Sequence, residues 1–524
     1  DTDTSTTSVF KKEVGAVLFT VDGTATLTLD SNQATNVDIN TAGTLIIDDT
    51  ITNGQEIFLA GTSVVDGSVA GTGNIQMPAN LLDGQTLVLI AETTDAADAA
   101  IVVDVEAAVL DTALRTYTVS AVVIGDDDNN ITITAADNSA ATVASNLGTT
   151  TNMATALIQA GIAVAGDATA LDAFTNALNA NGYSATEDTA LAKQVAPQTD
   201  GIAGSTLATR AMTGTVQGIV SNRMASLRSG DAYVTGVAAG NGMSANSGFL
   251  QVFGSDITQR NTTVGSGTEY GYGAETKGYA LGFDGITENG SVIGLSLSRS
   301  NTDVIGKGTG KSTNDIESYT ASIYADKVTD NGYLEGSLTF GINDNATSRI
   351  VNTAGLDRTY KGSYDSEQVS LKIGGGVPMQ KKTGDFIILF GNITGTLIQT
   401  DSYTETSTTA SDNLRLKIAQ DDVASIVGSL GFKVHKVSNN NGTAMISLAI
   451  NNEFGDNTIN STNTYQGGGS AFKTSTKVEA LSATLGLGLS FGSDMSSVIL
   501  GFEAEANQND YLSHYGTLKL VHKF

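Results

Sequence analysis

Few side chains of this 524-residue chain could carry acid–base, nucleophilic or metal chemistry. The chain has no cysteine, and its three histidines are His435, His514 and His522, so residues 1–434 contain none. A Ser-His-Asp protease and a histidine-bearing zinc site are therefore excluded from that part of the chain. The segment Gly308–Ser312 reads GTGKS, but a phosphate-binding loop would need a glycine where Ile305 stands. We expect no enzymatic activity.

Clustered carboxylates are the chemistry that remains. Asp126, Asp127 and Asp128 precede two asparagines, and Asp48 and Asp49 form a second dense oxygen site. Calcium takes six to eight oxygen ligands, so it could bridge the aspartates at 126–128, although their spacing is not that of a helix-loop-helix calcium loop. The alternative is a solvated acidic turn between strands. Paired catalytic carboxylates are disfavoured because residues 1–140 contain one tyrosine to serve as a sugar platform. No cofactor other than this calcium is expected.

The charge distribution divides the chain. Residues 1–150 hold 21 Asp and Glu against three Lys and Arg, a net charge of −18. Nucleic-acid binding is disfavoured because phosphate neutralisation needs a basic patch. Thirteen of the 15 tyrosines lie from Tyr233 onward, which indicates a domain boundary. The sequence starts at Asp1 without methionine, and we expect that a signal peptide has been removed.

The N-terminal region is rich in short β-runs. Residues 14–90 alternate Thr, Val, Ile and Leu with small polar residues, separated by glycine or Asn-Gly. This pattern predicts a short right-handed β-helix of roughly 20 residues per coil, or alternatively a β-sandwich. Residues 86–134 carry longer runs, including Ala99–Leu110, which we interpret as strands that cap the open end.

Helical periodicity begins near Ala141. Apolar residues recur at three- and four-residue spacing in Met153–Ala165, Thr169–Asn181 and Ser205–Leu227. Arginines 210, 223 and 228 lie off the apolar stripe of the third helix. One interpretation is a surface helix with solvated arginines. The other is a helix inside a polar barrel lumen, with arginines paired to inward carboxylates, for which the candidates are Glu317, Glu335, Glu453, Glu479 and Glu503.

From Ser247 to Phe524 the sequence alternates strand and turn. Twelve alternating segments of roughly 9–14 residues match the length that crosses a bilayer at a tilt. Short connections alternate with long ones at 301–315, 344–364, 401–420 and 454–476. This arrangement predicts a 12-stranded antiparallel transmembrane β-barrel, an all-β architecture that follows the N-terminal β-region.

The last strand carries an assembly signal. Leu518, Leu520, His522 and Phe524 fall on one face of that strand, and the sequence stops at the aromatic Phe524. After eleven other strands, such an ending is typical of outer-membrane barrels and predicts pairing with the strand near Ser247. Tryptophan is absent, so Tyr and Phe must form the interface girdles.

Three segments resemble the autotransporter (type V secretion) family. Ala190–Gly230 resembles the segment that precedes autotransporter barrels, with Gln194–Pro197 near its usual start and Arg223, Leu227 and Arg228 matching its end. Gly248–Gln259 followed by Tyr270–Gly285 resembles the first barrel hairpin, and Asp303–Ala325 resembles the third and fourth strands. One departure is the region before the helices, which has about 140 residues where the family usually carries several hundred.

The resemblance implies three units: a short acidic β-rich passenger at 1–140, a helical linker at 141–230 that ends in the lumen helix, and the β-barrel at 231–524. It implies a Gram-negative outer-membrane protein that secretes and displays its own N-terminal region at the cell surface. We expect a surface-layer coat or interaction module that contacts outer-membrane lipid, lipopolysaccharide, the barrel-assembly machinery and copies of itself. The alternatives are a porin-like channel and an adhesin for another surface.

Overall fold

The structure is a computed structural model, described over part of the chain. The described residues are 7–10, 19–21, 26–29, 37–39, 44–47, 51–58, 74–78, 80–94, 103, 105–123, 128–165, 193–196, 199–229, 247–287, 289–353, 356–380, 386–408, 412–438, 442–492, 496–508 and 511–523. The predicted helix Thr169–Asn181 and the terminal Phe524 lie outside them.

The N-terminal region consists of short strands. They are β1 (Thr7–Phe10), β2 (Phe19–Val21), β3 (Thr26–Leu29), β4 (Val37–Ile39), β5 (Thr44–Ile47), β6 (Glu56–Phe58), β7 (Asn74–Gln76), β8 (Thr86–Thr94), β9 (Val109–Leu110), β10 (Arg115–Val123) and β11 (Asp128–Asp137). Alternate strands pair in parallel, in the order β1-β3-β5-β7-β9, and β2 pairs in parallel with β4. Thr7 lies opposite Thr26 and Thr26 opposite Thr44, an interval close to the expected coil of roughly 20 residues.

A mixed sheet follows these parallel strands, in the order β10-β11-β8-β6, in which β10, β11 and β8 are antiparallel and β6 is parallel to β8. Its core packs Leu87, Leu89, Ile131 and Ile133 against the side chains of β5 and β7. The prediction of a strand over Ala99–Leu110 is wrong at residues 105–108, which are helical, and β9 retains two residues. An apolar run alone does not distinguish a buried strand from a buried helix.

In the part of the chain that the structure describes, three helices follow, namely α1 (Ala140–Leu147), α2 (Thr151–Val164) and α3 (Thr199–Ser229). Ser139 Oγ accepts a hydrogen bond from Thr142 N at 3.1 Å, and Thr150 Oγ1 accepts one from Met153 N at 3.3 Å, so each of the first two helices has an N-cap. None of the helices described is long and apolar enough to cross a membrane.

The barrel is a closed sheet of 12 antiparallel strands. The remaining strands of the chain are β12 (Ser247–Gln259), β13 (Thr262–Val264), β14 (Gly267–Glu269), β15 (Tyr272–Ile286), β16 (Ser291–Gly306), β17 (Thr313–Thr329), β18 (Gly332–Thr353), β19 (Leu356–Gln380), β20 (Phe386–Thr400), β21 (Tyr403–Thr404), β22 (Thr406–Ser407), β23 (Leu416–Gln420), β24 (Val423–Ser438), β25 (Gly442–Glu453), β26 (Thr458–Tyr465), β27 (Phe472–Lys477), β28 (Leu481–Gly492), β29 (Ser496–Asn507) and β30 (Tyr511–Lys523). The barrel strands are β12, β15–β20, β24, β25 and β28–β30. The last strand pairs with the first, Lys523 opposite Ser247, so the closure predicted for the strand near Ser247 is confirmed.

Side chains alternate between the two faces of the barrel wall. On β16, Leu295 and Leu297 point outward and are about half exposed, whereas Ser296 and Ser298 point inward and are buried. An apolar outer face with a polar interior is the pattern of a transmembrane barrel. Tyr279 is among the exposed aromatic residues of the outer face, as expected in a chain that lacks tryptophan.

The strands continue beyond the length that a bilayer requires. The predicted loop at 344–364 is instead part of a long hairpin, since β18 has 22 residues and β19 has 25. The predicted loops at 401–420 and 454–476 contain a small antiparallel sheet, in the order β21-β23-β26-β27. Helix α2 packs on β26 and β27. These long connections therefore consist largely of paired strands, which satisfy the backbone hydrogen bonds of these segments outside the membrane.

Candidate functional site: the helix in the barrel lumen

Helix α3 lies inside the barrel, against the inward-facing side chains of β15 to β18. Its apolar residues Ile219, Val220 and Met224 pack on Phe249 and Tyr324, which point inward from the wall. The inward positions in the middle of β16 are Ser296, Ser298, Ser300 and Thr302, small polar residues that leave room for a helix. The surface-helix alternative is therefore wrong.

Glycines allow the helix to approach the wall. A Cβ atom at Gly204 would lie 2.9 Å from Tyr272 Cγ and 3.1 Å from Val304 Cγ1, closer than side chains tolerate. A Cβ atom at Gly218 would lie 2.9 Å from the Tyr515 hydroxyl. The absence of a side chain at these two positions sets the distance between helix and wall.

Arg223 holds the C-terminal part of α3 to the wall. Its Nε donates to Asp284 Oδ2 at 2.6 Å, and its Nη2 donates to Asp284 Oδ1 at 2.7 Å. Tyr324 donates from its hydroxyl to Asp284 at 2.9 Å, and Ser247 donates to the same carboxylate at 2.5 Å. The side chains of Arg223 and Asp284 are 3% and 2% exposed. Because both charges are desolvated and joined by two direct hydrogen bonds, this pair favours one position of the helix.

Lys519 of the last strand adds a contact at the same level. Its ammonium donates to the Ile219 carbonyl at 3.2 Å and lies 5.1 Å from the centre of the Phe249 ring. Arg223 lies 5.7 Å from the same ring. Two cations against one aromatic face tie both the helix and the closing strand to β12.

The middle of the helix is bound by polar contacts. Arg210 Nη1 lies 2.9 Å from Glu453 Oε2, and Ser425 donates to that carboxylate at 2.6 Å. Gln217 donates to Ser370 Oγ at 2.8 Å, and Thr213 donates to Gln368. These contacts are typical of a helix in a hydrophilic lumen, where polar groups need partners.

The five candidate carboxylates have different positions. Glu453 pairs with Arg210, whereas the partner of Arg223 is Asp284, which the sequence analysis did not include. Glu335, Glu479 and Glu503 line the lumen cavity. The expectation for Glu317 is wrong, since it faces outward and pairs with Arg299. Arg228 lies in the last turn of α3, but its side chain is outside the described residues.

A segment before α3 is held at the outer mouth of the barrel. The Val195 carbonyl accepts hydrogen bonds from the Tyr465 hydroxyl at 2.7 Å and from Arg349 Nη1 at 3.5 Å. Arg349 also forms a bidentate pair with Glu405, at 3.0 and 2.7 Å, and lies 4.3 Å from the centre of the Tyr360 ring. Burial would lower the pKa of Arg349, but the carboxylate of Glu405 raises this pKa above its ordinary value. We call this set, Val195 with Arg349, Tyr360, Glu405 and Tyr465, the mouth clamp.

The mouth clamp belongs to a larger apolar core outside the membrane. Helices α1 and α2 contribute Val143, Leu147, Met153 and Leu157, which pack with residues of the β18–β19 hairpin and of the sheet β21-β23-β26-β27. The contributions of the hairpin and sheet to this core are Val351, Leu356, Tyr360, Tyr364, Tyr403, Leu414, Leu416, Ile418, Tyr465 and Phe472. The helices before residue 166 are thus joined to the barrel by buried contacts. The sequence contained a signal for this core, since the apolar stripe of Met153–Ala165 required a partner.

The helix does not fill the lumen. A cavity of about 1210 Å³ remains beside α3, lined by side chains of β24, β25 and β28–β30. Both signs of charge face it, from Lys372, Lys433, Glu335 and Glu503. A polar cavity of this size has room for water, and the helix packs mainly against β15 to β18 on the other side of the lumen.

The terminal strand and the aspartates complete the predicted sites. Leu518, Leu520 and His522 are exposed on one face of β30, and Ser496 Oγ lies 2.9 Å from His522 Nδ1. Asp126 and Asp127 lie outside the described residues, as does the side chain of Asp128 at the start of β11. No group of three or more Asp, Glu or His side chains in the described ranges could hold a metal ion. Calcium at residues 126–128 stays a prediction.

Comparison with known proteins identifies the family. Residues 248–505 match the model of the autotransporter beta-domain. The translocator domain of autotransporter NalP from Neisseria meningitidis is similar in structure, with 16% identity over 62% of this chain and 98% of that chain and a TM-score of 0.47. The transport unit of autotransporter AIDA-I from Escherichia coli has 11% identity over 59% of this chain and 98% of that chain, with a TM-score of 0.38. A search of curated proteins found no match. On the family match, residues 248–505 are an autotransporter beta-domain, and the chain is an outer-membrane protein whose barrel serves secretion of the region N-terminal to it.

Proposed function

We propose that the protein secretes its own small N-terminal β-region and displays it at the cell surface as a surface-coat or interaction module. The observation that carries this proposal is the path of the chain. Helix α3 passes through the barrel, and Val195, just before it, is bound by Arg349 and Tyr465 at the mouth. The region before residue 193 then belongs to the outer side.

The direction of the path follows from the connections. The short connections from β15 to β16, β17 to β18 and β24 to β25 lie at the same end as Ser247 and Lys523. In outer-membrane barrels, short turns face the periplasm and long loops face outward. Arg223 is near that short-turn end, since it binds Ser247 and Asp284. The N-terminal end of α3 therefore points out of the cell.

The apolar core outside the membrane supports display of the N-terminal region on a fixed base. Helices α1 and α2 pack against the extended hairpin and sheet with fully buried side chains such as Ala154, Leu157 and Ala160. Burial of a leucine side chain stabilises a contact by about 1.5–3 kcal/mol. A base of this kind holds the N-terminal region in a defined position above the barrel and suits a coat better than a flexible tether would.

We also propose its partners. The exposed outer face contacts outer-membrane lipid and lipopolysaccharide, and the last strand is recognised by the barrel-assembly machinery. The parallel pairing of alternate short strands supports the β-helix for the N-terminal region. No enzymatic activity is proposed, since residues 1–434 contain neither histidine nor cysteine.

A porin-like channel is the alternative that the cavity beside α3 favours. It predicts high conductance of the full-length protein in planar bilayers. Under the display proposal, conductance should be low and should increase several-fold when residues 199–229 are deleted. An unchanged conductance after this deletion would support a channel in which α3 does not obstruct the lumen.

Protease treatment of intact cells tests display directly. Mass spectrometry of the released peptides should find sequences from residues 1–165, while the barrel strands stay with the membrane. A periplasmic protein serves as the control for intact envelopes. Display is contradicted if these N-terminal peptides appear after permeabilisation of the outer membrane and not before it. If the protein is an adhesin, the purified N-terminal region should in addition bind a foreign surface by itself.

A further inference from the structure

Strand β10 is the edge strand of the mixed sheet β10-β11-β8-β6 in the part of the chain that the structure describes. It pairs with β11 on one side, and no described strand pairs with its other side. The N–H and C=O groups at such an edge can accept another strand. Each residue of β10 directs its backbone N–H and C=O groups either toward β11 or away from it, and this direction decides which of these groups are available.

Two sets of contacts determine that direction. Ala135 N of β11 donates to the Gln85 carbonyl, and the Ala135 carbonyl accepts from Gly84 N. The backbone N–H and C=O groups of odd-numbered β11 residues are therefore directed to the β8 side, and those of even-numbered residues to β10. On the opposite side of β10, the Arg115 carbonyl accepts from Thr112 N at 2.8 Å, and Tyr117 N donates to Asp111 Oδ1 at 2.9 Å. The backbone N–H and C=O groups of the odd-numbered β10 residues are therefore directed away from β11.

The first part of this edge is covered, whereas no described residue covers the rest. Thr112 and Asp111 bind the outward groups of Arg115 and Tyr117. Beyond them, the outward N–H and C=O groups of Val119, Ala121 and Val123 have no partner in the described part of the chain. Ala121, Val122 and Val123 are exposed, Val123 at 75%.

The composition of this edge differs from that of its surroundings. Residues 116–125 contain no charged residue and no proline, although residues 1–150 carry a net charge of −18. Natural sheets usually protect an exposed edge with charged side chains or proline. In an acidic protein, an uncharged edge is a place where two copies can approach without contact between like charges.

We propose that two copies of this chain associate through β10, antiparallel and with Ala121 on the twofold axis. In this register Val119 lies opposite Val123 of the second copy, Ala121 opposite itself, and Ser120 opposite Val122. Each outward N–H and C=O group from Val119 to Val123 then gains a partner. The two valine pairs are β-branched cross-strand pairs, and a small alanine lies on the twofold axis. The contact unites both four-stranded sheets into one sheet of eight strands.

This inference specifies the partner in the interaction role proposed above. It rests on that proposal, because the copies meet at the cell surface only if the N-terminal region is displayed there. A strand from a different protein is the competing occupant. The self-complementary register favours a second copy, because one uncharged edge supplies both halves of an isologous contact.

Disulfide trapping tests the register in the full-length protein, which has no cysteine of its own. In hydrogen-bonded antiparallel pairs the Cα atoms are about 5.5 Å apart, a distance that a disulfide spans. Purified Ala121→Cys protein in detergent should therefore form a covalent dimer under mild oxidation. Ser120→Cys is the matched control, since residue 120 is equally exposed but would lie diagonal to its own copy, about 7–8 Å away. Equal cross-linking of both variants, or of neither, would overturn the proposal.

Light scattering coupled to size exclusion provides the second measurement. Wild-type protein and Ala121→Thr, which keeps the backbone N–H, should show a dimer whose fraction rises with concentration. Ala121→Pro should be at least tenfold weaker in dimerisation while its barrel remains heat-modifiable, because the N–H that proline removes has no partner among the described residues. A monomeric wild-type protein, or an undiminished Ala121→Pro dimer, would refute edge pairing. Surface protease treatment is scored separately, so failure of dimerisation and failure of display are distinguishable.

Discussion

Arg223 of α3 and Asp284 of β15 form a bidentate ion pair inside the barrel, with nitrogen–oxygen distances of 2.6 and 2.7 Å. Asp284 lies near the short-turn end of its strand and also binds Tyr324 and Ser247, the first residue of β12. One carboxylate therefore connects the helix, two neighbouring strands and a third strand. The pair therefore stabilises both the position of the helix and the closed wall of the barrel.

Loss of Asp284 should release the helix. In Asp284→Asn, the guanidinium of Arg223 stays buried without its counter-charge, which typically costs about 3–5 kcal/mol. We expect a lower temperature for the heat-modifiability transition on gels. Removal of both charges, in Arg223→Met with Asp284→Leu, should restore most of the loss. Lys277→Ala, which breaks an ion pair whose side chains are 75% and 55% exposed, is the control and should leave the transition unchanged. An unaltered transition in Asp284→Asn would contradict an anchoring role.

Glu405→Gln should open the mouth clamp without unfolding the barrel. Arg349 loses its bidentate partner there, although its contacts with the carbonyls of Val195 and Leu414 remain. Hydrogen exchange at residues 193–196 should become faster, while exchange in β15 to β17 stays slow. The matched control is Glu317→Gln, which breaks a pair with Arg299 on the exposed outer face. Equal exchange at residues 193–196 in wild type and Glu405→Gln would show that the clamp does not hold this segment.

Two glycines of α3 should respond in opposite ways to alanine. Gly214 has open space around a Cβ atom, so Gly214→Ala should stabilise the protein by about 0.5–1 kcal/mol through lower backbone entropy of the unfolded chain. Gly204→Ala should destabilise it by about 1–3 kcal/mol, because the new methyl group meets Tyr272 and Val304. Denaturant titration of the detergent-solubilised protein measures both. The same sign for the two variants would mean that the helix does not pack on the wall at Gly204.

Deletion of Phe524 should reduce the amount of folded barrel in outer-membrane fractions. Leu518 and Leu520 lie on the outward face of β30, and the terminal aromatic continues their alternation in the sequence. Phe524→Tyr keeps an aromatic ring and should assemble normally. The measurement is the heat-modifiable fraction on gels. Unchanged amounts after the deletion would count against the assembly-signal interpretation.

Removal of divalent cations should loosen larger assemblies. Residues 1–150 carry −18, and repulsion between copies extends over a Debye length of ~10 Å at 0.1 M salt. Calcium or magnesium at carboxylates such as Asp126, Asp127 and Asp128 would lower it. We expect a chelator to reduce the assembly size of purified protein in detergent, measured by light scattering. Detergent samples are preferable to envelopes, since lipopolysaccharide also binds these cations. The same size with and without chelator would exclude cation bridging.

The sequence by itself determined the barrel. Alternation of apolar and polar residues in segments such as Ser291–Gly306 encodes the two faces of each strand, and the terminal β30 could be matched to the strand at Ser247. The helical stripe of Ser205–Leu227 was also readable, because a periodicity of 3.6 residues is local information. The resemblance of Ala190–Gly230 to the pre-barrel segment joined these elements into one architecture.

The tertiary structure alone decided which side chains meet. The partner of Arg223 is Asp284, and closure of the sheet brings the two together across 61 positions of sequence. Glu317 faces outward and pairs with Arg299. Its position could not be predicted because the strands extend past the hydrocarbon layer, where outward residues are also polar. There the alternation of apolar and polar residues no longer distinguishes the two faces. The long connections became paired strands, and α2 found its apolar partner there. Local periodicity specifies an element and its faces, whereas the partner of each face depends on the closed geometry of the whole chain.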